Sequence, residues 1–158
     1  TSTQDLLEAC ERAFKQSDVW IMAAAPADYR PAQQHEHKVK KTEGDLTTLE
    51  LEKTQDILGS LESLRSGQFI IGFAAETRDV LGYAREKLKR KKLDMIVAND
   101  ISGTNTGFAS STNAVTLIVS DGSEQVVELA PKREIAEAIL SLMQSLRTLS
   151  PSPRPSVH

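Results

Sequence analysis

The sequence predicts an α/β protein in which helices cover both faces of a largely parallel sheet. Near-continuous apolar runs, typical of strands buried on both faces, occur at residues 19–24, 69–74 and 94–98. Helical patterns separate these runs, and that alternation is typical of a three-layer, Rossmann-like fold. Two further strand patterns flank Asp121-Gly122, which predicts an antiparallel hairpin at the C-terminal edge of the sheet.

The first part of the chain opens with a helical pattern and then turns to short elements. Thr54 is a candidate N-cap for a helix whose apolar face includes Ile57 and Leu61. The segments before it are predicted as a helix at 3–16, a strand at 19–24, a loop at 26–44 and a short strand at 46–51.

The second part of the chain continues the alternation of strand and helix. Thr77 can cap a helix that runs to about Lys92 and turns Leu81, Ala84 and Leu88 inward. The hairpin strands and the last helix are predicted at 114–119, 125–129 and 131–147. Residues 1–148 are therefore predicted as one domain, and the proline-rich residues 149–158 as a disordered tail.

Composition narrows the class of protein. With 39% hydrophobic and 26% charged residues, the chain resembles a soluble globular protein rather than a disordered one. No apolar run reaches the roughly 20 residues that span a bilayer, so no membrane partner is expected. The net charge of -3 argues against a nucleic-acid partner. A single cysteine, Cys10, at helical spacing from Leu6, Leu7 and Phe14, suits a core position in a cytoplasmic protein.

Three predicted strands end in small or polar residues, at 22–25, 72–77 and 97–100. If they are neighbours in one parallel sheet, their ends meet at one crevice, where open α/β sheets bind ligands. Asp28 then offers an acceptor just past the first strand, and 38–41 (Lys-Val-Lys-Lys) offers cations for phosphate. A turn followed by a solvated basic loop is the alternative interpretation, and Asn99-Asp100 can likewise be ordinary turn residues.

Lys87 and Lys91 are four positions apart and share one face of their predicted helix. Like charges at this spacing are destabilising by about 0.2–0.5 kcal/mol. This cost is small enough for the two lysines to lie on a solvated surface. The more specific interpretation is that they bind a polyphosphate, which would turn their repulsion into attraction. The chain contains neither a Gly-x-Gly-x-x-Gly fingerprint nor a P-loop, which disfavours an unrelated nicotinamide-dependent oxidoreductase. His35 and His37 are two isolated histidines in a loop rich in Gln, His and Lys, so no metal held by side chains is predicted.

Six motifs in order carry a family resemblance. They are Ala-Ala-Ala-Pro-Ala-Asp-Tyr-Arg-Pro (23–31), Lys-Val-Lys-Lys (38–41), Lys-Thr-Gln-Asp-Ile-Leu (53–58), Ile-Gly-Phe-Ala-Ala-Glu-Thr (71–77), Leu-Asp-Met-Ile-Val-Ala-Asn-Asp (93–100) and Phe108-x(4)-Asn113. Together they resemble phosphopantothenate–cysteine ligase, the CTP-dependent domain of the bacterial bifunctional coenzyme A biosynthesis protein. The resemblance runs from about residue 3 to residue 140.

The resemblance implies a ligase of coenzyme A biosynthesis that joins 4′-phosphopantothenate to cysteine through an acyl-cytidylate, using CTP and Mg²⁺. It also implies a homodimer and, in the full-length protein, a decarboxylase domain; no FMN is expected in this chain. Lys38 is implied to stabilise or process the acyl-cytidylate, and Ala24, Ala25 and Asn99 to lie on the substrate side. The implied CTP contacts are Asp28, Lys38, Thr54, Gln55, Asp56, Ile57, Phe73 (beside the cytosine), Lys87 and Lys91 (toward the phosphates).

This chain departs from the family pattern at Pro26 and Gln55, where an aliphatic residue and a proline are usual. Neither departure removes a charged group. Family domains also begin further upstream, with a glycine-rich turn and an Asn-x-Ser-Ser-Gly motif. The chain alone is therefore expected to be a poor ligase or none, and the alternative to an enzyme is a non-catalytic CTP-binding or dimerisation fragment.

Overall fold

The computed structural model describes residues 2–33, 48–101 and 111–149. Along these ranges the chain forms four helices and seven strands. In chain order they are α1 (Thr3–Phe14), β1 (Val19–Met22), β2 (Tyr29–Pro31), β3 (Leu51–Lys53), α2 (Ile57–Glu62), β4 (Phe69–Glu76), α3 (Val80–Arg90), β5 (Met95–Asp100), β6 (Thr112–Val119), β7 (Glu124–Pro131) and α4 (Lys132–Leu149).

A five-stranded sheet in the order β1-β4-β5-β6-β7 forms the centre of the protein. β1, β4 and β5 pair in parallel, with Met22 opposite Gly72 and Ala74 opposite Ala98. β6 is antiparallel to both β5 and β7, so four of the five strands point the same way. The α/β class, the largely parallel sheet and the C-terminal antiparallel hairpin are thereby confirmed.

Two apolar clusters, one on each face of the sheet, make up the core. On one face, side chains of α1, α2 and α3, among them Phe14, Leu61 and Leu88, pack on Ile70 and Ile96. On the other face, α4 covers a second cluster built from alternate residues of the strands. Its members include Ile71, Met95, Leu117, Ile135 and Ile139. Residues that alternate along one strand thus serve both layers of the core.

The helix starts differ from those predicted. The N-cap of α2 is Asp56, whose carboxylate accepts the backbone N–H of Gly59 at 3.1 Å. Thr54 instead donates its hydroxyl to the carbonyl of Ala27, so a contact distant in sequence removes it from the helix. α3 begins after Asp79, which has a left-handed φ of 43°, and not at Thr77.

The strands also differ from prediction in three places. β2 lies within the segment predicted to be a loop and pairs antiparallel with β3 as a separate two-stranded ribbon. β3 starts at Leu51, where the predicted strand ended, and the predicted residues 46 and 47 lie outside the described ranges. Asn99 and Asp100 are the last residues of β5 and not turn residues, because both continue the parallel pairing with β4.

Two predictions about single positions hold, whereas β1 ends at Met22 and not at residue 24. Cys10 is buried at 6% exposure, as its spacing predicted. Gly122 adopts the positive φ of 93° that the hairpin turn requires. α4 extends to Leu149, and residues 150–158 lie outside the described ranges. Among the helices that the structure describes, none combines the length and the apolar character needed to cross a bilayer.

Candidate functional site

The carboxyl ends of β1, β4 and β5 meet at one edge of the sheet, as their sequence predicted. Ala24 and Ala25 lie two and three residues after the end of β1 and are exposed. The last residue pair between β1 and β4 is Met22 with Gly72, so among the described residues no strand lies beside β4 on that side from Phe73 onward. This open stretch of β4 lets a ligand approach the main chain of a central strand.

Asp28 and Thr54 are joined at the base of the β2–β3 ribbon. The amide of Thr54 donates to the carbonyl of Asp28 at 2.9 Å, and its hydroxyl bonds to the neighbouring carbonyl of Ala27. Both bonds involve the main chain of the 27–28 segment, so the Asp28 carboxylate has no part in them. The side chain of Asp28 is exposed and can serve as an acceptor for a ligand.

Lys87 is half-buried between α3 and β4. Its ammonium donates to the carbonyl oxygen of Phe73 at 2.8 Å. Burial lowers the pKa of Lys87, with Lys91 and Arg90 adding to the effect, while Glu76 and Asp28 oppose it by attraction. The ammonium is therefore a partly desolvated cation, and an anionic group that contacts it there interacts more strongly than in open solvent.

Phe73 presents two different groups on two faces of the sheet. Its ring packs against the α4-side cluster, together with Ile71 of the same strand. Its carbonyl receives Lys87 from α3, whose buried residues Ala84 and Leu88 belong to the opposite cluster. A ligand that crosses the open stretch of β4 can therefore meet an aromatic ring on one side and an ammonium on the other.

Lys91 forms an ion pair with Asp56, which joins the end of α3 to the start of α2. The Lys91 side chain retains 19% exposure and that of Asp56 54%. Burial acts to raise the pKa of Asp56, but hydrogen bonds from Lys91 and from the Gly59 amide outweigh it, and the pKa is lowered. Asp56 is therefore a carboxylate at neutral pH.

The predicted site residues thus fall into three groups. The charges of Asp28 and Lys91 act on Lys87. Lys87 also bonds to Phe73, Lys91 pairs with Asp56, and Thr54 bonds to the main chain of Asp28. Gln55 is exposed. Ile57 is a core residue at 2% exposure, so only its main chain could contact a ligand. Lys38 lies outside the described residues.

Asn99 occupies the carboxyl end of β5 opposite Ala75. Its Oδ1 atom is buried and has no hydrogen-bond partner in the part of the chain that the structure describes. An enclosed acceptor without a donor is costly, by about 1–3 kcal/mol. In this geometry the Asn99 amide oxygen is not open to a ligand, in contrast to the exposed Ala24 and Ala25.

Glu76, to which neither the sequence patterns nor the family resemblance gave a role, is an acidic neighbour of Lys87. It ends β4 and attracts the Lys87 ammonium. Its position at the carboxyl end of a buried strand is the sequence feature that could have identified it.

Within residues 2–33, 48–101 and 111–149, no three His, Cys, Asp or Glu side chains lie close enough together to hold a metal ion.

The chain matches the family described as DNA/pantothenate metabolism flavoprotein C-terminal domain over residues 1–146. It belongs to this family. The family resemblance read from the six sequence motifs is thereby confirmed.

Relatives in this family are longer than the chain. The "Coenzyme A biosynthesis bifunctional protein CoaBC" of Bacillus subtilis (strain 168) is 41% identical over 145 residues, which are 92% of this chain and 36% of that protein. The chain therefore spans about a third of the length of the curated relatives that it matches.

Solved structures share the fold. A crystal structure titled as the C-terminal domain of CoaBC has a TM-score of 0.71 and 38% identity, covering 90% of this chain and 61% of that one. A structure titled "Cab2 mutant H337A complex with phosphopantothenate-cysteine" has a TM-score of 0.72 at 19% identity, covering 95% of this chain and 53% of that one. At that identity the second structure shows likeness of fold only.

Proposed function

We propose that this chain is the part of a coenzyme A biosynthesis ligase that binds CTP and helps join 4′-phosphopantothenate to cysteine. The observation that carries the proposal is the desolvated Lys87 ammonium, fixed on the Phe73 carbonyl beside the open stretch of β4. Membership in a family that includes a coenzyme A biosynthesis protein supports the choice of pathway.

The proposed reaction has two steps. The pantothenate carboxylate attacks the α-phosphorus of CTP, which forms an acyl-cytidylate and releases pyrophosphate. The cysteine amine then attacks the acyl carbon, so that an amide forms and CMP leaves with the electron pair of the broken C–O bond. Both steps depend on alignment of the reacting groups and on neutralisation of phosphate charge.

The residues of this chain supply binding and orientation in that scheme. Lys87 and Lys91 face the phosphates, and the ring of Phe73 lies beside the cytosine. Asp28 and the 54–57 segment contact the nucleotide, and Lys38 stabilises the acyl-cytidylate or its breakdown. Ala24 and Ala25, small and exposed, leave room for the pantothenate side of the site. We assign no step to Asn99.

Mg²⁺ enters the proposal with the nucleotide. Since the described residues hold no cluster of three or more ligating side chains, we place the ion on the triphosphate as its counter-ion. No step of the scheme is assigned to a metal-bound group. The proposed location is the cytoplasm, which suits the unpaired thiol of Cys10.

Nucleotide binding by the chain tests the core of the proposal. Calorimetry with CTP, ATP and GTP should give the tightest binding with CTP, because a pocket with fixed donors and acceptors rejects a larger base. Lys87→Ala should weaken CTP binding by about 1.5–3 kcal/mol, the value of a hydrogen bond to a charged group, and CMP binding much less. Lys89→Ala, an exposed lysine of the same helix, is the matched control. Tighter binding of ATP would overturn the assignment.

Catalysis is a separate test. The chain spans about a third of its relatives, so pyrophosphate release should be assayed for the chain alone and for the chain joined to the upstream part of the Bacillus subtilis relative. Release that needs both CTP and phosphopantothenate supports the ligase, and nucleotide binding without release in either form supports a binding fragment. Lys38→Gln should let acyl-cytidylate accumulate, as read by mass spectrometry; unchanged amide formation contradicts the role of Lys38.

We also propose that two copies of the chain associate through the β2–β3 ribbon. The register places Pro31 opposite Leu51 and Tyr29 opposite Lys53, so Tyr29, Pro31 and Leu51 share one face, and Tyr29 and Leu51 are 53% and 55% exposed. An isolated two-stranded ribbon with an exposed apolar face is marginal in water, and a second copy would cover it. Sedimentation should therefore show a dimer that Leu51→Glu dissociates, whereas Val126→Glu, at an exposed position of β7, leaves it intact.

A further inference from the structure

Both oxygens of the Asp56 carboxylate are engaged by the protein itself. Oδ1 accepts the amide of Gly59 at 3.1 Å, which caps α2, and Oδ2 accepts the ammonium of Lys91. We propose that Asp56 is a positioning residue: it holds the Lys91 ammonium beside Lys87, and its own side chain does not contact the nucleotide. This inference rests on the proposed function, because it concerns how the phosphate-binding lysines are arranged.

Lys91 needs an external anchor because of its place in the fold. It is the C-cap of α3, and the next residue, Lys92, turns away with a left-handed φ of 48°. Residues 85–92 carry six cationic side chains, and Lys91 is close enough to Lys87 to act on its charge. Repulsion among these cations separates the two ammonium groups unless a negative charge offsets it. Asp56 supplies that charge.

A lysine has three N–H donors, so the Asp56 bond leaves Lys91 able to donate to phosphate oxygens. The ion pair fixes where those donors point, because only 19% of the Lys91 side chain is exposed. Fixing the side chain in advance removes rotamer freedom that binding would otherwise have to remove. Asp56 thereby favours a ligand that spans both lysines, as a triphosphate does, over one with a single phosphate.

The neighbouring ion pair between Lys92 and Glu62 provides a natural control. It joins the same two segments, at the other end of α2, through the next lysine along the chain. The Lys92 side chain is 68% exposed, and among the described residues the charges that act on Lys87 are those of Glu76, Lys91, Arg90 and Asp28 and not that of Lys92. Loss of the Glu62 charge therefore removes a link between α2 and the end of α3 without touching the proposed phosphate site.

The test is a double-mutant cycle in the whole chain, read by calorimetry with CTP and with CMP. Asp56→Asn removes the charge but keeps a side chain that caps a helix equally well, so α2 is retained. We expect it to weaken CTP binding by about three- to tenfold with little change for CMP. In a Lys91→Ala background the same substitution should have no further effect. Glu62→Gln should leave CTP binding unchanged.

Each outcome decides the matter. Tighter or unchanged CTP binding in Asp56→Asn overturns the positioning role, as does an equal loss in the Lys91→Ala background, since Asp56 would then act without Lys91. A matching loss in Glu62→Gln would mean that any link between the two helices matters, which also overturns it. If Lys91→Ala itself leaves CTP binding unchanged, the proposed phosphate site fails. Thermal unfolding followed by the single tryptophan, Trp20, verifies that each variant is folded.

Discussion

The guanidinium of Arg65 holds the carboxylate of Asp94 through two hydrogen bonds from Nη2, of 2.7 and 2.6 Å. The same carboxylate accepts the amide of Ile70 at 2.6 Å, and Arg65 also donates to the carbonyls of Gln68 and Lys92. One side chain thus joins the starts of β4 and β5 and the end of α3. This polar cluster lies at the opposite end of the sheet from the proposed site.

Arg65→Lys should lower the free energy of unfolding by about 1.5–3 kcal/mol, because a lysine cannot keep the several bonds of a guanidinium. For a chain of this size that loss corresponds to a melting temperature lower by several degrees. Arg133→Lys, which affects an ion pair with Glu137 that is 89% and 62% exposed, is the control and should change stability by at most about 0.5 kcal/mol. Equal effects of the two substitutions would contradict the structural role of Arg65.

The pH dependence of the free energy of unfolding should show that the ionised Asp56 carboxylate stabilises the fold. Its pKa in the folded protein lies below the ordinary value of 3.8, so its ionised form stabilises the fold above that pH. The contribution is lost as the pH falls through the lowered pKa, where the folded protein also takes up the proton. Wild type should therefore be more stable than Asp56→Asn at pH 7, and the difference should vanish in strong acid. Urea unfolding from pH 7 to pH 2 measures it, and a constant difference would refute the assignment.

Gly72 should tolerate no side chain while Leu93 is present. A Cβ atom at Gly72 would lie 2.6 Å from Cδ1 of Leu93, which is itself buried. Gly72→Ala should therefore destabilise the fold by about 1–3 kcal/mol through overpacking. In a Leu93→Ala background the added methyl group has space, and its penalty should shrink or reverse. Equal penalties in both backgrounds, measured by denaturant unfolding, would rule out this contact as the cause.

Cys10 should react slowly with thiol reagents in the native protein. It is 6% exposed, and burial raises the pKa of its thiol, so both access and thiolate population are reduced. Reaction with dithiobisnitrobenzoate should be far slower than that of free glutathione and should reach one equivalent quickly in guanidinium. Fast reaction under native conditions would contradict the core position of Cys10.

The sheet could be predicted from the sequence because each buried strand is a local apolar run with helical patterns between. β2 could not be predicted, since its three exposed residues are held by pairing with β3, as in Arg30 with Glu52, 22 positions further on. The choice of Asp56 over Thr54 as the N-cap of α2 could not be predicted from the sequence either. Both residue types cap helices well, and the bonds from Thr54 to the carbonyls of Ala27 and Asp28 distinguish them.

The candidate site was predictable as a set of residues but not as an arrangement. Helical spacing paired Lys87 with Lys91, and the family resemblance added Asp56 and Phe73. The contact between Lys91 and Asp56 joins positions that are 35 residues apart, and the contact between Lys87 and Phe73 joins positions that are 14 residues apart. No local sequence pattern encodes such contacts. The enclosed oxygen of Asn99 is likewise a property of packing around the end of β5.

The bond from Lys87 to the Phe73 carbonyl makes the location of the ammonium independent of the side chain at position 73. Because the acceptor belongs to the main chain of a central strand, every residue type at position 73 provides it. In the proposed nucleotide site, exchange of the aromatic ring would change the contact to the base while the ammonium keeps its location. Under the proposed function, base preference and phosphate affinity can therefore change independently of each other.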